Sequence, residues 1–372
     1  MLTDESPTET EADLLAGGIP VSNLWLLMLY ASDLYKHLGD RRVRYEENPD
    51  QLADLIAEIL CHEVANRLSR NLSLGYTKRS DELTRVRGRI DHLRTEAHQL
   101  LKKGRIHCHF EELSLDTRRN RYVAAALRKI SSLVQRDVLK TKSLSLVMQL
   151  ERLGVHCIRP SGYSGSTDRF GRHDQADQKM VAAADLAFQL TLPTQQSGRG
   201  LLRLPGSDVR WLRRLFERAV GGFYSVTLAS TKWKVSPGQR LKWQIDEQSM
   251  GIPTILPSMQ TDIVLDYPPA GYRLVIDTKF NEITKPGHYR NETLRSGYLY
   301  QIYAYLRSQE REGDPVSQQS DGMLLHPSTG VDVDEYVVIQ GHKFHFRTID
   351  LSRDSMAVRS ALLDIVPTYE VL

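Results

Sequence analysis

Cysteine is scarce in this chain, with three among 372 residues. Cys61, Cys108 and Cys157 are too few and too far apart for a disulfide framework, so the expected setting is a reducing cytoplasm. Each has a histidine beside it (His62, His107 and His109, His156), yet neither C-x-x-C nor H-x-x-x-H spacing occurs, and sequence neighbours diverge in space on strands and helices. No zinc site is therefore predicted. Long apolar runs are also missing: the stretch 24–31 is far short of the roughly 20 residues a membrane span needs. The first residues are acidic rather than basic, which predicts no signal peptide. Neither sign of charge dominates, since 49 Lys and Arg stand against 46 Asp and Glu for a net +3. Contact with nucleic acid must then come from local clusters: Arg41, Arg42 and Arg44; Arg118, Arg119 and Arg121; or Arg210, Arg213 and Arg214. No G-x-x-x-x-G-K-[ST] occurs, so the chain has no recognisable phosphate-cradling loop and is not expected to hydrolyse a nucleotide alone.

Residues 1–18 are acidic, Thr-rich and weakly apolar, which predicts a disordered tail. Folding is expected from Ile19, where Pro20 and Ser22, the latter as N-cap, precede Leu24, Leu27, Met28, Ala31 and Leu34 at helical spacing. A second helix is predicted over 51–70 from the stripe Leu52, Leu55, Ile56, Ile59, Leu60 and Val64. A third is expected over 117–138 and a fourth over 143–153. The Gly- and Arg-containing stretch 75–106 suits short strands or an extended projection. Segments 160–177 and 193–208, rich in Gly, Ser, Gln, Pro and charged residues, read as loops. The domain boundary is placed in the second, giving 19–205 and 206–372 as the two domains. A chain of this length, 41% hydrophobic, has material for a core in each.

The stretch 262–279 carries the most chemistry. Apolar residues run through Ile263, Val264 and Leu265 and again through Leu274, Val275 and Ile276, with Pro268, Pro269 and Gly271 between, which predicts a β-hairpin. If the loop is 268–271, Tyr267 pairs with Tyr272, and counting outward sets Asp262 opposite Asp277, with Cβ atoms roughly 5 Å apart. Lys279, two residues on, shares that face. Facing carboxylates repel unless a cation lies between them, and Mg²⁺ takes such hard oxygen ligands. The alternative is a solvated hairpin face with an ordinary Asp–Lys pair.

Surrounding elements weigh toward the metal. Apolar Val209, Leu212, Leu215, Phe216, Ala219 and Val220 predict a helix over 208–229, with Glu217 beside the stripe. Short strands are expected at 233–235 and 241–245, then the hairpin, a helix over 294–309, and strands at 322–326 and 336–339. This order, with Asp262, the triplet Asp277-Thr278-Lys279 and the later Gln301, resembles the PD-(D/E)xK nuclease superfamily. The fold class expected is α/β (α+β) in two domains, the second with a central mixed sheet flanked by helices. The resemblance implies Asp262, Asp277 and Lys279 as catalytic residues, and Mg²⁺ held by Asp262, Asp277 and the Thr278 carbonyl. Gln301 and Tyr305, one helical turn apart, match a Q-x-x-x-Y pattern of the RecB-like branch and would support the site. Glu217 would be the acid that the first helix often supplies; otherwise it is a surface residue of a basic helix.

Several further stretches, in order, resemble the McrC family, the nuclease subunits of McrBC modification-dependent restriction systems. They are IPVSNLWLLMLYASDL (19–34), VRGRID (86–91), FEELSLDTRRNRYVAAAL (110–127), LFERAVGGFY (215–224), TDIVL with VIDTKF, and LYQIYAYL (299–306). The resemblance implies a cytoplasmic Mg²⁺-dependent endonuclease that cuts double-stranded DNA carrying modified cytosine. It also implies a hexameric AAA+ partner, McrB-like, which binds and hydrolyses GTP. The domain 19–205 would dock on that ring and stimulate its GTPase, with Arg87 and Arg89 as candidate contacts. Two other readings stay open: a partner-independent RecB-like nuclease with the same site, and a non-catalytic adaptor of a GTPase ring.

Overall fold

The computed structural model describes residues 18–39, 42–47, 51–70, 72–171, 175–196, 209–286 and 292–367. Residues 1–17 of the predicted tail 1–18, and the predicted domain boundary at 205/206, lie outside the described residues. The chain forms two compact units, Ala53–Thr191 and the combination of Met1–Leu52 with Leu192–Leu372. This differs from the sequence division, which grouped 19–52 with the residues that follow. Those residues instead pack with the C-terminal part of the chain.

The unit Ala53–Thr191 draws its core from the helices Leu52–Ser69, Arg118–Ile130, Asp137–Arg152 and Gln175–Gln196, whose Leu60, Val64, Leu127, Leu150 and Leu186 are buried. Thr117 caps the second of these, its Oγ1 accepting from Asn120 N at 3.1 Å. The predicted helix 117–138 is instead two helices with a break at 131–136. There the hydroxyls of Ser131 and Ser132 donate to the carbonyls of Arg128 and Lys129, and Gln135 N donates to Asp54, local bonds that compete with the helical ladder. The helix Gln175–Gln196 starts in a stretch read as loop; its Asp177 is fully buried between Arg67 and Arg119, at 2.7 and 2.8 Å. The stretch after Leu72 holds strand β1 (Gly75–Leu83), β2 (Arg89–Ile90), a short helix His92–Ala97 and β3 (Ile106–Ser114). They form an antiparallel sheet of order β1-β3-β2, β1 running against the whole of β3.

The other unit is built on β4 (Lys234–Pro237), β5 (Arg240–Leu241), β6 (Met259–Gln260), β7 (Ile263–Tyr267), β8 (Tyr272–Thr278), β9 (Thr284–Pro286), β10 (Glu292–Leu294), β11 (Asp321–Ser328), β12 (Asp334–Ile339) and β13 (His342–Asp350). Six of these make a mixed sheet of order β12-β13-β11-β8-β7-β4. Its centre is parallel, β8 to β11 and β11 to β13, while its flanks are antiparallel. Alternate residues face opposite sides. Val264, Val275, Leu324 and Phe344 pack with Ile302, Tyr305 and Leu306 of the helix Ser296–Arg307. The helix Val209–Thr227 lies against β4 and β8 and buries Leu212, Phe216, Val220 and Phe223. The structure thus has the expected central mixed sheet flanked by helices. The strand expected over 241–245 shrinks to β5, and β13 and the helix Ser355–Leu363, capped by Asp354, complete the unit.

The segment before Leu52 is bound into this unit by specific contacts. The helix Val21–Tyr30 begins after Pro20, not at the predicted cap Ser22, because Asn23 N and Leu24 N already donate to Pro20 O. Asn23 Nδ2 reaches the carbonyls of Leu351 and Arg353 at 2.8 and 2.6 Å. Buried Glu46 accepts from Tyr35 and from Arg359. A Cβ on Gly222 would lie 2.0 Å from Tyr30 O, so only glycine lets the two helices approach this closely.

Candidate active site

The site grows from the hairpin. β7 and β8 pair in the register Tyr267↔Tyr272 through Ile263↔Ile276, closed by the turn Pro268–Ala270. This is the register read from the loop. The ladder ends at Ile263, so Asp262 stands just before β7 and bends toward the next residue of β8: its Oδ2 accepts from Thr278 N and Thr278 Oγ1, both at 2.7 Å. Those two donors fix the carboxylate beside Asp277.

Asp277 is 1% exposed. Its Oδ2 lies 2.7 Å from Lys279 Nζ, while Oδ1 has no hydrogen-bond partner among the described residues. Strand alternation brings the pair together, since residues two apart share a face, and the bond from Lys279 N to Leu325 O, 2.9 Å, anchors the strand end against β11. Lys279 Nζ also donates to Gln301 Oε1 at 3.1 Å, and Gln301 Nε2 donates to Tyr305 OH at 2.7 Å. Gln301 and Tyr305 therefore form one chain with the lysine, running from the helix Ser296–Arg307 to the sheet.

Glu217, half-buried on the helix Val209–Thr227, belongs to the same electrostatic cluster. Burial, then the charges of Asp262 and Asp277, push its carboxyl up to about 6 against the pull of Lys279 and Arg218. Asp277 is likewise pushed up to about 6, by burial and by Asp262, with Lys279 opposing. Burial disfavours the Lys279 ammonium, but Asp277 and Asp262 more than offset it, holding its pKa above the usual lysine value. Three carboxylates thus converge around one ammonium. A buried carboxylate oxygen lacking a partner, with two more carboxylates close by, is a donor set suited to a hard dication.

Beneath the lysine lies a support that the motif residues alone do not announce. Lys279 Nζ sits 4.9 Å from the Tyr298 ring centroid, and Tyr298 OH accepts from Asn281 Nδ2 at 3.0 Å. His326, fully buried and pushed down to about 4 by that burial, pairs through Nδ1 with Asn281 O at 2.9 Å. Tyr298 was findable: it precedes Gln301 by three residues and so shares its helix face.

Arg87 and Arg89 lie in the unit Ala53–Thr191. Gly88 between them has φ +68, and a Cβ there would meet His109 O at 2.3 Å, so V-R-G-R requires its glycine. Arg87 pairs with Glu112 at 3.2 Å and its guanidinium lies 4.4 Å from the Phe110 ring centroid, whereas Arg89 is exposed on β2. No helix among the described residues is long and apolar enough to cross a membrane.

The chain is similar to several known proteins. The family model described as McrBC 5-methylcytosine restriction system component matches residues 8–160. The type IV methyl-directed restriction enzyme EcoKMcrBC of Escherichia coli strain K12 is 23% identical over 356 residues, covering 94% of this chain and 98% of that protein. Among solved structures, the refined half-complex from the tetradecameric assembly of Thermococcus gammatolerans McrB AAA+ hexamers with bound McrC matches at 16% identity and TM-score 0.38, over 85% of this chain and 68% of that chain. The cryo-EM structure of the Thermococcus gammatolerans McrBC complex matches at 17% identity and TM-score 0.32, over 56% and 59%. Over residues 8–160 by the family model, and at 23% identity along most of its length, the chain is thus similar to the components of McrBC restriction systems.

Proposed function

We propose that the chain is the Mg²⁺-dependent DNA endonuclease subunit of a GTP-dependent, methylcytosine-directed restriction complex, with a PD-(D/E)xK site. The observation that carries the reading is Asp277: fully buried, one oxygen unpartnered, 2.7 Å from Lys279 and beside Asp262 and Glu217. A buried carboxylate left half-satisfied is costly in a purely structural role, and a dication resolves that cost.

Asp262, Asp277 and Glu217 would hold Mg²⁺, with the Thr278 carbonyl as a further oxygen. When bound, the ion would neutralise phosphate charge and lower the pKa of a bound water. The protein groups do the rest. Thr278 keeps Asp262 in place through its N–H and hydroxyl. Lys279, steadied by Asp277, Gln301 and the Tyr298 face, remains an ammonium, which orients the attacking water and stabilises charge growing on the phosphate oxygens. Tyr305 holds Gln301.

The similarity to McrBC components supports a partner. A hexameric McrB-like AAA+ ring would bind and hydrolyse GTP, in keeping with the lack of a phosphate-cradling loop here, and would direct cutting to double-stranded DNA with modified cytosine in the cytoplasm. The region 19–205 would carry the docking and GTPase-stimulating surface. Exposed Arg89 is the freer of its two candidate arginines, since Arg87 is engaged by Glu112 and Phe110.

The test is cleavage of methylated and unmethylated plasmid with Mg²⁺, with and without the partner and GTP. Cutting confined to methylated plasmid in the complete mixture supports the proposal. Cutting by this chain alone would show a free nuclease, and GTPase stimulation without any cutting would leave an adaptor.

A further inference from the structure

Away from the carboxylate cluster, the unit Ala53–Thr191 assembles a second set of metal-binding side chains. β3 carries His107 and His109, two residues apart and so on one face. β2 pairs with β3 in the register Arg89↔His109 and Ile90↔Cys108, and the bond from Asp91 N to His107 O at 2.8 Å carries that pairing one residue further. Asp91 is thereby set across from His107. One ligand atom from each of Asp91, His107 and His109 lies within 4.8 Å of the other two. Zinc-type ions hold such ligands at about 2.0–2.2 Å, so small rotations of these side chains suffice to close them on a single ion.

We propose that Asp91, His107 and His109 form a binding site for a borderline transition-metal dication of the zinc, cobalt and nickel class. The ligand chemistry separates it from the Mg²⁺ site: imidazole nitrogen favours these ions, whereas Mg²⁺ takes oxygen. The ligands are positioned before any ion arrives. Asp91 Oδ1 is fixed by Arg94 N at 3.0 Å, which leaves Oδ2 directed at His109 Nε2, 3.1 Å away. His107 is buried and held at its backbone by Thr95 Oγ1 at 3.1 Å, and its Nε2 meets Ser80 Oγ at 2.7 Å. Arg94 is the competing cation, 3.4 Å from His107 Nε2 and 3.9 Å from Asp91 Oδ2. Its side chain is 61% exposed, so it can swing into solvent when a dication takes its place. His109 is 41% exposed, which gives the ion a route in and leaves room for water as a fourth ligand. An ion here would tie the end of V-R-G-R-I-D to β3 and stiffen the segment bearing Arg87 and Arg89.

The experiment titrates the full-length, chelator-stripped protein with Zn²⁺, Co²⁺ and Mg²⁺, by calorimetry and by the visible absorption of bound Co²⁺. His109→Asn and Asp91→Asn are compared with His98→Asn, an exposed histidine outside the trio. One Zn²⁺ or Co²⁺ per chain is expected, with the two ligand variants weakened at least about tenfold and His98→Asn unchanged. The exposure of His109 keeps its variant foldable, and matching circular dichroism spectra check this. Absence of Zn²⁺ and Co²⁺ binding in the unsubstituted protein, undiminished affinity in His109→Asn, or equal loss in His98→Asn would overturn the proposal.

Discussion

Asp277 is where sequence and chemistry meet most tightly. It is buried near the end of a strand, after apolar Val275 and Ile276, and it shares with Glu217 a carboxyl pushed up to about 6. The sign of the resulting pH dependence follows. In the metal-free folded state these groups hold protons at pH values where the unfolded chain, with carboxyls near about 4, has released them. The folded state then binds more protons, so stability falls as pH rises from about 4 through about 6 and levels off above. Thermal melts of chelator-treated protein across that range are expected to show the decline, and Asp277→Asn to flatten it. An equally steep decline in the variant would place its origin elsewhere. Gln301 makes a second prediction at this scale. Removing its bond to Lys279 by Gln301→Ala is expected to slow cutting about tenfold, the effect of ~1.4 kcal/mol in the barrier, while GTPase stimulation by the complex is unchanged. No change in single-turnover cleavage would remove Gln301 from the site. The Asp–Asp–Lys grouping was legible because a proline-rich turn fixes hairpin register and strand alternation fixes faces. The Asp91–His107–His109 trio was not, because Asp91 follows a different strand from the one that carries the histidines and no local spacing announces it.

At the scale of elements, the long helix Val209–Thr227 both offers Glu217 to the site and receives the N-terminal helix at Gly222. Its two adjacent glycines are predicted to respond oppositely. Gly222→Ala drives a methyl against Tyr30 O and should cost about 1–3 kcal/mol. At Gly221 the nearest atom to an added Cβ is Pro237 Cβ at 3.4 Å, so Gly221→Ala should be neutral or stabilising by up to about 1 kcal/mol, the helix-propensity gain. Urea unfolding of both variants decides this, and equal effects would contradict the packing described. Helices with a clean 3.6-residue apolar stripe, at Leu52–Ser69, Val209–Thr227 and Ser296–Arg307, were readable from sequence within a few residues. The break at 131–136 was not, because serine side chains and Asp54 satisfy the backbone there. The start of Gln175–Gln196 was hidden because Asp177 looks solvated in sequence and is buried by two arginines only in the fold.

At the scale of the whole molecule, the division into units depends on contacts that link residues more than 300 positions apart, such as Asn23 with Leu351 and Glu46 with Arg359. Local sequence patterns carry no such information, which is why the expected cut at 205/206 separated partners. A chain of residues 206–372 alone is therefore expected to fail as a cooperative domain: it loses the helix Val21–Tyr30 that covers Phe223 and the anionic partner of Arg359. A sharp melting transition for that fragment, near that of the full chain, would refute this. In the proposed function, one chain pairs a carboxylate–lysine cutting site with separate control of a GTPase ring. Its most direct test measures both activities of the assembled complex carrying Asp277→Asn. Cutting of methylated plasmid should fall at least about a hundredfold while GTPase stimulation stays at the level of the unsubstituted complex; undiminished cutting would rule out Asp277 as part of the cutting site.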